Sequence, residues 1–184
     1  MPLKYKTKLV ILFIIGLIIV LGSILYFFTS KTPSAVAEVV AVRLEIPSIN
    51  VDAPIKGVGI TLDGAMAAPE AADIVGWYSY GSQPGEKGSS VMAGHKGWKN
   101  DGKAVFDDLN KLQKGDSFSV LNSDGTRIHF AVRDIRLYDK DEIVPEIFAA
   151  NQGVHLNLIT CVGEWNEDLK SYSERWVVFA DRVE

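Results

Sequence analysis

Leu9 to Phe28 is a run of twenty residues without a charge, rich in Leu, Ile, Val and Phe. At about 1.5 Å per helical residue, roughly 20 such residues cross a hydrocarbon layer of about 30 Å. A chain holding this run cannot fold as one water-soluble body. Lys4, Lys6 and Lys8 stand before it, and only Lys31 follows closely. That asymmetry places residues 1–8 in the cytoplasm and the remainder outside. Ala35-Val36-Ala37 would suit a leader-peptidase site. A leader's apolar region is about 7–15 residues, however, and the longer run here favours a retained anchor. The expected organisation is a cytoplasmic N-terminus (1–8), a membrane signal-anchor (9–28), a spacer (29–42) and an outer domain (43–184).

The outer domain has 142 residues, enough for one core. It carries 15 basic against 22 acidic side chains, a net charge of −7. Such a balance gives no support to nucleic-acid binding or to docking on an anionic surface. Short runs of alternating apolar residues, separated by Gly, Asp, Asn and Ser clusters, predict strands. They fall at 43–46, 53–58, 76–78, 89–93, 117–121, 127–137, 154–161 and 175–182. Asn122-Ser123-Asp124-Gly125 reads as a hairpin turn. Ala104, Val105, Phe106, Leu109 and Leu112 have helical spacing and predict one short helix. Eight short strands with little helix make an all-β domain, either a closed barrel or a sandwich.

The chain has one cysteine, Cys161. A lone thiol outside the cell is buried, paired between chains, or reactive. In Val154–Cys161, alternation puts Leu156, Leu158 and Thr160 on one face and His155, Asn157, Ile159 and Cys161 on the other. Cys161 therefore lies on the more polar face, at the expected strand end. Of the three histidines, His155 lies six residues, about 20 Å, from the thiol along the strand. His129 alternates outward, and both read as solvated strand histidines. His95 ends the run Ser90–Ala93 at a glycine-rich loop. Arg175, fourteen residues after Cys161, would lie beside it if the two strands pair antiparallel. A thiol nucleophile needs such an acid/base partner and a group to hold an oxyanion.

Asn157-Leu158-Ile159-Thr160-Cys161, Ala93-Gly94-His95 and Glu174-Arg175-Trp176, in that His–Cys–Arg order, resemble the sortase family. The likeness covers about 43–184 and departs at Asn157, where the family's Thr-Leu-x-Thr-Cys signature has threonine. It implies a closed eight-stranded barrel with one or two short helices. It also implies a transpeptidase that cleaves a Leu-Pro-x-Thr-Gly-like signal near the C-terminus of secreted proteins. Cys161 would be the nucleophile, His95 the general acid/base and Arg175 the oxyanion or substrate stabiliser. Ala93 and Thr160 would touch substrate. The acyl acceptor would be an amine of a cell-wall precursor such as lipid II, or a pilin lysine. No cofactor and no metal are expected, since Asp139-Lys140-Asp141-Glu142 lacks the spacing of a calcium loop. The short spacer, and a chain that stops soon after its last strand, favour a single-pass, non-pilus enzyme at the cell membrane.

Other readings differ in testable ways. An L,D-transpeptidase would place a histidine near its cysteine, and a disulfide oxidoreductase would need C-x-x-C. An anchored β-barrel binding module with an incidental cysteine would show no thiol-dependent turnover.

Overall fold

A computed structural model of the chain describes residues 14, 16, 17, 19–23, 38–98, 102–149 and 152–184. It forms two compact units, Met1–Glu38 and Val39–Glu184. In the first unit, the described residues between 14 and 23 are helical, and Ser23 returns its hydroxyl to the carbonyl of Ile19 at 2.9 Å. Among the described residues, no helix is long and apolar enough to cross a membrane. The expected span 9–28 lies partly, and the cytoplasmic segment 1–8 wholly, outside those residues. Most of the spacer does too.

The second unit is built from β1 (Ala41–Ile46), β2 (Val51–Val58), β3 (Val75–Tyr78), β4 (Gly88–Ala93), β5 (Ser117–Asn122), β6 (Arg127–Asp139), β7 (Val154–Asn166) and β8 (Ser171–Val183). The strands close into a barrel in the order β1-β2-β3-β4-β7-β8-β6-β5. A closed barrel leaves no unpaired edge, which settles barrel against sandwich. β2–β3 and β4–β7 pair parallel, and the other neighbours pair antiparallel. Parallel partners cannot be joined by a tight turn, so long connections must cross the barrel end.

Alternation sorts the apolar residues into two clusters. Leu44, Ile46, Met92, Phe130, Leu156 and Val178 fill the interior. Val91, Ile147, Val177 and Phe179 form a second cluster, with Ile159 packed against it. Met92 and Val91 alternate on β4, as do Val178 and Val177 on β8, so the second cluster lies on the barrel's outer face. These central strands are covered on both faces, and their sequences read as nearly unbroken apolar runs for that reason.

Two expectations are corrected. Residues 104–112 form turns and a single 3-10 turn, Leu109–Lys111, instead of a short α-helix. Their amide groups pair at a distance: Val105 N–H donates to Ala72 and Phe106 N–H to His95. Phe106, Leu109 and Leu112, spaced by three, are still buried. Second, Cys161 does not end its strand. β7 continues to Asn166 and β8 begins at Ser171, with a register shift between Val162 and Trp165. Gly163, at φ 85°, sits in that shift. A β-bulge of this kind carries the pair on as an exposed ribbon.

Candidate active site

Cys161 and Arg175 are directly opposite partners in the β7–β8 ladder. Opposed residues of an antiparallel pair project to the same side with Cβ atoms about 4.5–5.5 Å apart. That side is the outer face shared with Ile159 and Val177. The Arg175 guanidinium is fixed by its own hairpin. Nη1 donates to the carbonyls of Tyr172 (3.0 Å) and Glu174 (2.9 Å), and Nη2 to the Ser171 hydroxyl (3.1 Å). Of its five N–H groups, Nε–H and one Nη2–H are left for another acceptor. Cys161 is a free, half-buried thiol. Burial pushes this thiol up from its ordinary value, and the nearby Arg175 cation opposes with a smaller effect.

His95 arrives from the other flank of β7. The parallel β4–β7 register pairs Ala93 with Ile159. Gly94 N–H then donates to the Ile159 carbonyl at 3.1 Å, and the Thr160 hydroxyl to the Gly94 carbonyl at 2.8 Å. His95 thus follows a strand end held against Ile159, and it lines the same cleft as Cys161. The imidazole is oriented by its surroundings. Nε2 lies 2.8 Å from the Pro69 carbonyl, which only accepts, so Nε2 carries a proton. The ring meets Trp98 edge-on at 4.7 Å.

The backbone under His95 is equally constrained. A Cβ on Gly94 would lie 2.4 Å from Phe106 Cδ2 and 2.6 Å from Val105 Cγ1, so only glycine fits there. Asp107 accepts from Gly97 N–H at 2.6 Å and Ala104 N–H at 3.1 Å, tying the two ends of the loop that follows His95.

His95, Cys161 and Arg175 line one cleft of about 860 Å³. Ala93, Gly94 and Thr160 complete its floor. Residues 63–69 of the β2–β3 crossover form one wall, and residues 138–144 with Ile147 and Phe148 form the other. Thr160, 3% exposed, gives its hydroxyl proton to Gly94 and so braces the floor from beneath. Among the described residues, no group of three or more His, Cys, Asp or Glu side chains is placed to hold a metal ion.

The other histidines stand apart from the three. His129 is exposed, as its alternation implies. His155 is not the solvated residue expected. Nδ1 lies 2.7 Å from Asp181 Oδ1 and Nε2 2.6 Å from the Gln152 carbonyl, so both ring nitrogens are engaged away from Cys161.

Reading the sequence missed Pro69, which acts through a backbone carbonyl and has no side-chain signal. It also missed Asp107 and Ser171. Asp107 could have been suspected as a turn-capping acid in Ala104-Val105-Phe106-Asp107.

Comparison with known proteins identifies the fold. A Sortase domain model matches residues 44–183. The structure of sortase C-1 from Actinomyces oris is similar at 30% identity and a TM-score of 0.63, over 78% of this chain and 73% of that one. Streptococcus agalactiae sortase C1 in complex with MTSET is similar at 26% identity and a TM-score of 0.61, over 78% and 68%. A lid mutant of sortase A from Corynebacterium diphtheriae, at 22% identity and a TM-score of 0.61 over 81% and 73%, shares the fold. No curated protein matches the chain. With a domain match from the fourth residue of β1 to the last of β8, the chain belongs to the sortase family.

Proposed function

We propose that this sortase is a membrane-anchored cysteine transpeptidase that cleaves a Leu-Pro-x-Thr-Gly-like signal at the C-terminal end of secreted proteins. The observation that carries the reading is the coincidence of two registers. The Ala93–Ile159 pair carries His95 into the cleft that holds Cys161, and the Cys161–Arg175 pair adds a cation there.

In the first half-reaction, Cys161 Sγ gives its proton to His95 Nδ1 and attacks the threonine carbonyl carbon of the bound peptide. The carbonyl π electrons move to oxygen, where the available N–H groups of Arg175 stabilise the oxyanion. Collapse breaks the C–N bond to glycine, and His95 gives that nitrogen a proton. Because Nε2 is held by Pro69, Nδ1 is the imidazole nitrogen that exchanges the proton. In the second half-reaction, an amine attacks the thioester and loses a proton to His95, and the Cys161 thiolate departs. The acyl group ends on a cell-wall precursor amine or a protein lysine. The cleft is roomy enough for a peptide segment, being within the volume range of ligand sites, about 300–1,000 Å³.

The anchor follows from the uncharged run 9–28 and its lysines. A single-pass enzyme of the non-pilus type, with residues 31–184 outside the cell, accords with the short spacer. The test is incubation with a panel of fluorogenic sorting-signal peptides and candidate amines, with products weighed by mass spectrometry. A thioacyl adduct on the wild-type chain, absent in Cys161→Ala, is expected. Persistent turnover by Cys161→Ala, or no cleavage of any peptide in the panel, overturns the reading.

A further inference from the structure

Asn157 is a costly residue in its position. It lies in β7 between Val91 of β4 and Phe179 of β8, and it is 1% exposed. Its neighbours on the outer face, Val91, Ile147, Val177 and Phe179, form an apolar cluster in which a leucine would be at ease. Asn157 Nδ2 donates to the Ile147 carbonyl at 2.6 Å, while Oδ1 is buried without a partner. The amide cannot be turned round, because a carbonyl must face a donor. A half-satisfied buried amide destabilises a fold relative to an apolar side chain of the same shape. Its presence needs another reason.

Ile147 supplies one. It belongs to the 3-10 turn Pro145–Ile147, and it lines the cleft together with Val144, Phe148 and Cys161. The turn's own backbone bonds, Ile147 N–H to Val144 and Phe148 N–H to Pro145, close it on itself without attaching it to the barrel. An exposed ion pair of Glu146 with Arg136 gives one attachment. Such pairs contribute little in water. Tyr138 Oη also donates to Glu146 at 3.0 Å, and the Ile147 side chain packs in the outer cluster. The Asn157–Ile147 bond, however, is the turn's buried hydrogen bond to the barrel, made in apolar surroundings where such a bond is strongest.

We infer that Asn157 is a positioning residue for peptide binding: through the Ile147 carbonyl it fixes the cleft wall against which a peptide joined to Cys161 would pack. Asn157 shares the face of Cys161 but lies four residues, about 13 Å, away along the strand. It acts through the wall and not on the reacting atoms. The inference rests on the proposed function, which places a peptide in the cleft.

The test is Asn157→Leu in the full chain, which keeps the shape and removes both the donor and the orphaned oxygen. Thermal unfolding should be unchanged or shifted upward. Amide hydrogen exchange at Ile147, Phe148 and Ala149 should accelerate by about ten-fold, the equivalent of one lost buried hydrogen bond. KM for a cleaved peptide should rise by about five- to ten-fold, with kcat within about two-fold and iodoacetamide alkylation of Cys161 unaltered. Glu146→Gln should leave exchange and KM near wild type. Unchanged exchange at Ile147–Ala149 overturns the inference whether or not the protein cleaves peptides. Faster exchange with an unchanged KM overturns the role in binding. A lowered unfolding temperature with kcat and KM altered in parallel makes the residue merely structural. A wild-type protein that cleaves no sorting peptide refutes the proposed reaction and, with it, the role in binding.

Discussion

Replacing Thr160 by valine should lower turnover without touching His95, Cys161 or Arg175. Thr160 is buried, and its hydroxyl donates to the Gly94 carbonyl at 2.8 Å, one residue before His95. Together with the Gly94 N–H bond to Ile159, this holds the end of β4 on β7. Valine has nearly the same shape but cannot donate, so the Gly94 carbonyl is left buried and unpaired. That loss costs about 1–3 kcal/mol. At the size of this domain, roughly 3 °C follows per kcal/mol, so the unfolding midpoint should fall by about 3–9 °C. The catalytic effect should be larger. Gly94 cannot settle toward the core, because Phe106 and Val105 already fill the space behind it. The released segment must move outward and take His95 with it. A displacement near 1 Å can lower a rate by about a hundred-fold. kcat should therefore fall by about ten- to a hundred-fold, with KM little changed.

The matched control is Thr160→Ser, which keeps the hydroxyl and loses a buried methyl group. It should lower the midpoint modestly while keeping kcat within a few-fold of wild type. Thermal scans and steady-state cleavage of one fluorogenic peptide measure both quantities on the same preparations. The bracing argument is refuted if Thr160→Val retains full kcat, or if serine is as damaging as valine. A rise in KM at constant kcat would instead make Thr160 a residue that contacts the peptide.

Burial raises the Cys161 thiol and Arg175 partly offsets it, so alkylation of peptide-free enzyme should increase with pH through a midpoint above the ordinary value of about 8.5. Arg175→Gln removes the cation that favours thiolate and should move the midpoint higher still; a midpoint well below 8.5 would mean that an imidazolium governs the thiol. His95→Ala should lower kcat/KM by at least about a hundred-fold, whereas His129→Ala should be silent in the same assay. His155→Ala should keep kcat and lose about 1 kcal/mol of stability, read by denaturant unfolding, through its bonds to Asp181 and Gln152. Protease added to intact protoplasts should remove residues 31–184; protection of the domain, or a mature N-terminus at Glu38, would refute the retained anchor.

All eight strands could be read from alternation and turn residues, because one or both faces of each strand are buried and the sequence records burial directly. Their ends were harder. Gly163, Glu164 and Trp165 lie in an exposed ribbon held by pairing between strands, with Trp165 against Tyr172 at 5.1 Å. Pairing without burial leaves little trace in composition, so the ribbon read as a loop. The neighbourhood of Cys161 and Arg175 was legible all the same. An antiparallel pair sets these two opposite each other whether the thirteen residues between them form a loop or a ribbon. His95 had no such local guarantee. Its position depends on β4 pairing with β7, some sixty residues later, and only closure of the barrel brings those strands together. Asn157 read as an inconsequential departure from a signature, because its partner is a backbone carbonyl in a connection whose path the sequence does not display.

The parallel pairings also explain why the cleft lies where it does. β2 with β3 and β4 with β7 run in the same direction, and β6 and β7 run parallel on either side of β8. Each same-direction step requires a connection that returns across an end of the barrel. Residues 59–74 make the first return and residues 140–153 follow β6, and stretches of these two connections are the cleft walls. The floor, by contrast, consists of strand residues and the turn just after β4, set by ladder hydrogen bonds. The proposed triplet of His95, Cys161 and Arg175 thus stands on or directly after ladder-bonded strands, and the groups that would meet a peptide stand on segments whose sequence the barrel constrains weakly. Changes in the walls should accordingly alter which peptide binds while leaving the alkylation rate of Cys161 unchanged. Changes in the floor, such as Thr160→Val, should act on turnover for every peptide alike.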